Sequence, residues 1–165
     1  MQDTATIRIT QVRDVRLVRL AGRGTYTQSE RFHEIVEGFF QQCDRQVVVD
    51  LNGCTYLDST FLGCLVRLCR QHHAPPDKRF VIVATDHKQQ QLFASSQLHR
   101  FLIFDDTYVA TADVWSEVEV TRPDAKQLGR HVMKCHRTIG ELEIPDADKF
   151  AEIAKDLESE LPPEA

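Results

Sequence analysis

The chain has 165 residues, 42% of them hydrophobic, and carries 25 acidic against 20 basic side chains for a formal net charge of −5. A chain of this size hides on the order of 70% of the surface its unfolded state exposes, so it folds as one domain with at most an appendage and needs neither disulfides nor a structural metal. With no basic stripe in any segment a nucleic-acid-binding module is excluded, and no apolar run approaches the roughly 20 residues that a spanning helix requires. The polar opening MQDTATIRIT does not read as a signal peptide, and the cysteines at 43, 54, 64, 69 and 135 form no C-x-x-C pair. The expectation is a cytoplasmic protein whose thiols are reduced and mostly buried.

Residues 5–12 and 15–21 alternate apolar with polar side chains around a short Arg13-Asp14 turn, which predicts an opening β-hairpin. After the Gly22-Arg23-Gly24 break, Thr27 or Ser29 is placed to cap a helix whose apolar stripe is Phe32, Ile35, Val36, Phe39, Phe40 and Cys43. The stripe reads as core packing, and His33, which lies off it, reads as solvated. The β-branched run Val47-Val48-Val49-Asp50-Leu51 predicts a strand buried on both faces. Asp58 or Ser59 then caps a helix carrying Leu62, Leu65, Val66 and Cys69. The first N–H groups of a helix lack intrahelical partners and its dipole is positive there, so a phosphate placed on a hydroxyl at this junction would be stabilised.

Pro75-Pro76 stops that helix, and Phe80-Val81-Ile82-Val83-Ala84 reads as another buried strand. Thr85 or Asp86 caps the next helix, with Leu92 and Phe93 apolar. Residues 98–105 are expected to return to a strand and residues 110–118 to form a helix. Strands alternating with helices predict an α/β fold with parallel right-handed crossovers. In such a sheet the functional loops gather at the carboxyl ends of the strands, which places residues 22–26, 53–59 and 85–87 on one rim around Ser59.

At the strand–helix junction the chain reads Asp58-Ser59-Thr60-Phe61-Leu62-Gly63. This resembles the Asp-Ser-[Ser/Thr]-Gly-Leu-Gly motif of the STAS domains of bacterial anti-sigma factor antagonists. The approach to the segment 98–105, through a Leu and into a strand ending in an acidic residue, resembles the same family. The resemblance implies a STAS-like mixed β-sheet with packed helices over residues 6–119, followed by a C-terminal helical extension over 120–165. It further implies a non-enzymatic regulator without a cofactor, acting in transcription through partner switching. The partners would be an anti-sigma factor that is also a serine kinase and a phosphatase that reverses it, with no nucleic acid and no membrane. Ser59 would be phosphorylated, while Asp58, Thr60, Phe61, Arg23, Thr25 and Tyr26 would contact the partner. Two positions depart from the pattern: Phe61 stands where the antagonists usually have Gly, and Thr25 where many have Asp. The alternative reading is a STAS module that is not phosphorylated, serving as a scaffold or small-ligand sensor and assembling through its C-terminal helices.

In the extension, Leu128, Val132, Cys135, Ile139 and Leu142 follow a 4-3-4-3 spacing after Pro123-Asp124, and Phe150, Ile153, Leu157 and Leu161 share one side of a second stretch. The two predict an antiparallel helical hairpin that must cover its seam against itself, the preceding domain or a second copy as a homodimer. Gly129 and Gly140 cost that helix roughly 1 kcal/mol each against Ala, so packing has to hold it. His131, Cys135 and His136 share a helix face, but with no fourth residue at ligand spacing no metal site is expected. Ser59 lacks a Gly-x-Ser-x-Gly elbow and Gly22-x-Gly24 lacks the third glycine of a dinucleotide loop, so no catalytic residue is assigned.

Overall fold

The computed structural model describes residues 4–42, 46–73, 75, 79–105 and 112–163. The alternating opening residues form β1 (Thr6–Val12) and β2 (Val15–Gly24), paired antiparallel from Thr6 opposite Ala21 to Val12 opposite Val15. Arg13 takes the left-handed conformation, φ 56°, that so short a turn requires. The valine run is β3 (Gln46–Asp50), parallel to β2 on one side and to β5 (Phe80–Val83) on the other. The sheet order is β5-β3-β2-β1-β6, with β4 (Cys54–Leu57) paired to the end of β2, and the sheet is mixed as expected.

Residues 116–118 overturn one expectation. They form the edge strand β6 (Ser116–Val118), antiparallel to β1, rather than part of a helix; the start of the predicted helix lies outside the described residues. The segment has no periodic apolar face to bury, with Val114 exposed and Trp115 lying 4.2 Å below the Arg19 guanidinium. The open edge of β1 offers it backbone hydrogen bonds instead. The strand predicted over 98–105 is likewise reduced. Leu98–Phe101 is a 3-10 turn, and only Phe104 bridges Ile82 in parallel. β4 was expected to be loop, because its two exposed residues sit between buried ends and hide any alternation.

Alternation sorts the sheet residues onto two faces. Val18, Leu20, Val47 and Val49 join the main core beneath the helices, whereas Leu17, Val48 and Val81 form a smaller cluster with Trp115 on the other face. The main core is covered by α1 (Tyr26–Gln41), α2 (Ser59–Gln71) and, at one end, α3 (Asp86–Phe93). Thr25, not Thr27 or Ser29, caps α1, through a reciprocal capping box with Gln28. Thr85 caps α3. Residues 120–165 supply α4 (Ala125–Gly140), capped by Asp124, and α5 (Ala147–Glu160).

The hairpin α4–α5 is built into the core. Cys135 and Ile139 are fully buried within it, while Leu128, Val132 and Leu142 are half-buried. In α5 the inward side is Ala147, Phe150, Ala154 and Leu157, and Ile153 is exposed rather than part of the seam. Two glycines set the distances. A Cβ added at Gly63 of α2 would overlap the Cys135 carbonyl, and one at Gly140 would stand 2.7 Å from the Ala151 backbone nitrogen. Surface ion pairs such as Arg70–Glu141 and Arg137–Glu158 are exposed and contribute at most about 1 kcal/mol each, so close packing at Gly63 holds the hairpin down.

Candidate functional site

The site begins with Asp58, whose extended backbone ends β4 and opens α2. One carboxylate oxygen accepts the Phe61 N–H at 2.9 Å and caps α2, and the other accepts the Tyr26 N–H at 2.7 Å, at the start of α1. The Asp58 N–H in turn donates to the Gly24 carbonyl at 3.0 Å. One side chain therefore ties two helix N-termini and the first predicted loop into a single unit.

Ser59 is the first residue of α2 and is half-buried. Its hydroxyl shares a 3.0 Å hydrogen bond with Nε2 of His136 on α4. Burial lowers the pKa of His136, with Cys135 and Asp58 pulling the other way, so the ring is held neutral. Its buried Nδ1 has no hydrogen-bond partner among the described residues. Among the described residues a Ser–His–acid relay is therefore not assembled: both Asp58 oxygens are committed to backbone N–H groups and no described carboxylate orients the imidazole. Beside Ser59 lies a pocket of about 230 Å³ lined by residues that include Leu62, Ser96, Ile139, Pro145 and Phe150.

The other predicted contact residues separate sharply. Thr60 and Phe61 are buried, Phe61 fully, with its ring centroid 5.0 Å from that of Phe32. Thr60 and Phe61, expected among the partner contacts, are thus corrected to buried positions. A side chain at this position of the first turn points into the core here, where Gly24 leaves room: a Cβ there would meet the Phe61 ring at 3.2 Å and Leu57 at 2.7 Å. Thr25 is occupied in capping α1. Arg23 and Tyr26 are exposed, Tyr26 by 51%, and the Arg23 guanidinium lies 4.1 Å over the ring of Tyr56, itself 42% exposed. Tyr56 lies outside the predicted contact residues, because in so short a strand no alternation marks it as exposed.

The loop 85–87 does not reach Ser59's pocket. The Thr85 N–H bonds Asn52 Oδ1 at 2.9 Å and Lys88 Nζ bonds the Cys54 carbonyl at 2.7 Å, so this loop braces the start of β4. Residues 95–98 and the α4–α5 turn line the pocket in its place.

The predicted cluster of His131, Cys135 and His136 also rearranges. His136 faces Ser59, and Cys64 of α2 joins His131 and Cys135 instead, the three donor atoms lying within 4.8 Å of one another and all buried. Ser29 Oγ of α1 stands 2.7 Å from His131 Nε2, and Cys135 Sγ stands 3.5 Å from the same nitrogen. Burial pushes the Cys64 thiol well above its ordinary range. At Cys135 burial acts in the same direction, but hydrogen bonds from Cys64 and His131 outweigh it and hold the thiol low. His33, expected in solvent, packs against His131 with ring centroids 5.6 Å apart. Burial, reinforced by Arg67, lowers its pKa to about 3.

A family model described as "Mlab, STAS domain" matches residues 7–104. Among solved structures the fold is similar to the crystal structure of an anti-sigma factor antagonist from Mycobacterium paratuberculosis, with a TM-score of 0.52 and 16% identity, covering 65% of this chain and 90% of that one. No curated relative matches the sequence. The family model matches more than half of the residues, and the chain belongs to this STAS domain family.

Proposed function

We propose that the protein is an anti-sigma factor antagonist-like regulator that binds an anti-sigma factor with serine-kinase activity and is switched off when Ser59 is phosphorylated. The observation that carries this reading is the placement of Ser59 as the first residue of α2, presented by Asp58 beside the exposed Arg23, Tyr26 and Tyr56. A phosphate there adds about −1.5 to −2 charges, which a helix N-terminus accommodates without refolding. The effect falls on the interface, where an unpaired dianion costs about 2–4 kcal/mol, or roughly 30- to 1000-fold in affinity. A phosphatase restores the binding form. The STAS domain of this reading spans residues 6–119, and the hairpin of 120–165 governs access, because a phosphoryl group on Ser59 Oγ competes with His136 for the same space.

Mass spectrometry of protein isolated from its own cells, and of protein labelled by the cognate kinase, tests the reading. Phosphate on Ser59 alone is expected, Ser59→Ala should bind the partner without being labelled, and His136→Ala should be labelled faster than the parent. Labelling of Thr60 or of nothing in this loop, or Ser59→Asp binding as tightly as the parent, overturns it.

The burial of Phe61 and the His136 contact on Ser59 favour a second reading, an unphosphorylated STAS scaffold or small-ligand sensor assembling through its C-terminal helices. Ser59 unmodified under every growth condition, with a partner still bound, selects this second reading.

A further inference from the structure

Three soft donors meet beneath the hairpin where α4 crosses α2. We propose that Cys64, His131 and Cys135 form a binding site for a thiophilic divalent cation, zinc, that staples the C-terminal hairpin to the STAS core. The crossing at Gly63 brings the backbone of Cys135 against α2 and so delivers Cys135 to Cys64, the next residue along. Tetrahedral zinc, with bonds of about 2.3 Å to sulfur and 2.0 Å to nitrogen, places neighbouring S and N ligands about 3.5 Å apart and two S ligands about 3.8 Å apart. The Cys135 Sγ to His131 Nε2 separation of 3.5 Å equals the first value, and all three donors fall within 4.8 Å.

The charge also balances. Two thiolates and a neutral imidazole around a divalent ion sum to zero, which a fully buried site tolerates where an unpaired charge would not. Both sulfurs bind as thiolates, so binding releases whatever protons the two thiols still carry. Ser29 Oγ, 2.7 Å from His131 Nε2, is placed to supply an oxygen for the fourth position. A cleft lined by Glu30, His33, Arg67 and His131 leads from the surface between α1 and α4 to the same imidazole. The inference is independent of Ser59 phosphorylation, since none of its donors touches that hydroxyl.

The test is a cobalt(II) titration of the full-length, reduced, chelator-stripped protein, followed by zinc(II). One equivalent of cobalt bound with a thiolate-to-metal charge-transfer band, displaced by one equivalent of zinc, is expected. Cys64→Ser and Cys135→Ser should each abolish the band, Cys69→Ser should keep it, and Ser29→Ala should weaken zinc binding by about 10- to 100-fold. X-ray absorption at the zinc edge of the unsubstituted protein covers the case in which a cysteine variant misfolds, and should show two sulfur neighbours at about 2.3 Å. Substoichiometric binding, a coordination shell without sulfur, a band that survives loss of Cys64 and of Cys135, or a Cys64–Cys135 disulfide forming in place of metal binding overturns the proposal.

Discussion

Toward the ends of β2 and β4, Ser59 is flanked by Arg23, Tyr26 and Tyr56, all open to solvent on backbone that Asp58 ties down. On its other flank His136 and Phe150 of the hairpin close over it. The open flank has its backbone tied by Asp58 and displays Tyr and Arg side chains, of the kinds that carry binding energy at interfaces. The closed flank rests on helix packing, and the buried His136 Nδ1 within it has no hydrogen-bond partner among the described residues. On the proposed reading the two flanks divide the work: the open one meets the partner, and the hairpin, by opening locally, decides when Ser59 is reachable.

The largest expected effect tests the boundary between the flanks. Phe61→Ala should cost about 3–5 kcal/mol, because it empties a fully buried aromatic position against Phe32. Chemical denaturation reads this directly, and a variant as stable as the parent that has lost its partner would return Phe61 to the interface. Gly63→Ala comes next. Its methyl meets the Cys135 carbonyl, so α4 must shift at a cost of about 1–3 kcal/mol. Hydrogen exchange should then rise in α4 and α5 with the β2–β3 pairing still protected; uniform loss of protection would mean that hairpin and sheet open together.

Asp58→Ala should cost about 0.5–2 kcal/mol through loss of the α2 cap and of the tie to Tyr26. Its thermal melt should fall modestly, and labelling of Ser59 by a cognate kinase should fall more, since the hydroxyl is no longer held at a defined helix start. Smallest in stability is Tyr56→Ala, which should stay within about 0.5 kcal/mol of the parent while weakening partner binding. Calorimetric titration against the partner decides it. Unchanged affinity would place the docking surface elsewhere than the open flank.

What the sequence by itself determined is what neighbours in the chain enforce. The β1–β2 hairpin follows from alternation across a two-residue turn, β3 from its valine run, the start of α2 from the Asp58 cap, and the C-terminal helices from their apolar spacing. What only the tertiary structure decided involves residues far apart in the chain or choices between faces. Ser59 and His136 are 77 positions apart, Ser29 and His131 are 102 apart, and no local pattern announces either pair. Phe61 and Ile153 each sat at a helical position compatible with either role, and the space beneath Gly24 drew the first inward while the packing of α5 left the second in water. Residues 116–118 became a strand because β1 had an edge to offer. Helix spacing grouped His136 with His131 and Cys135, since all three lie on α4; the crossing at Gly63 sent His136 to Ser59 and put Cys64 in its place. Periodicity records which residues share an element, and the distance between two elements is set by the smallest residue at their crossing.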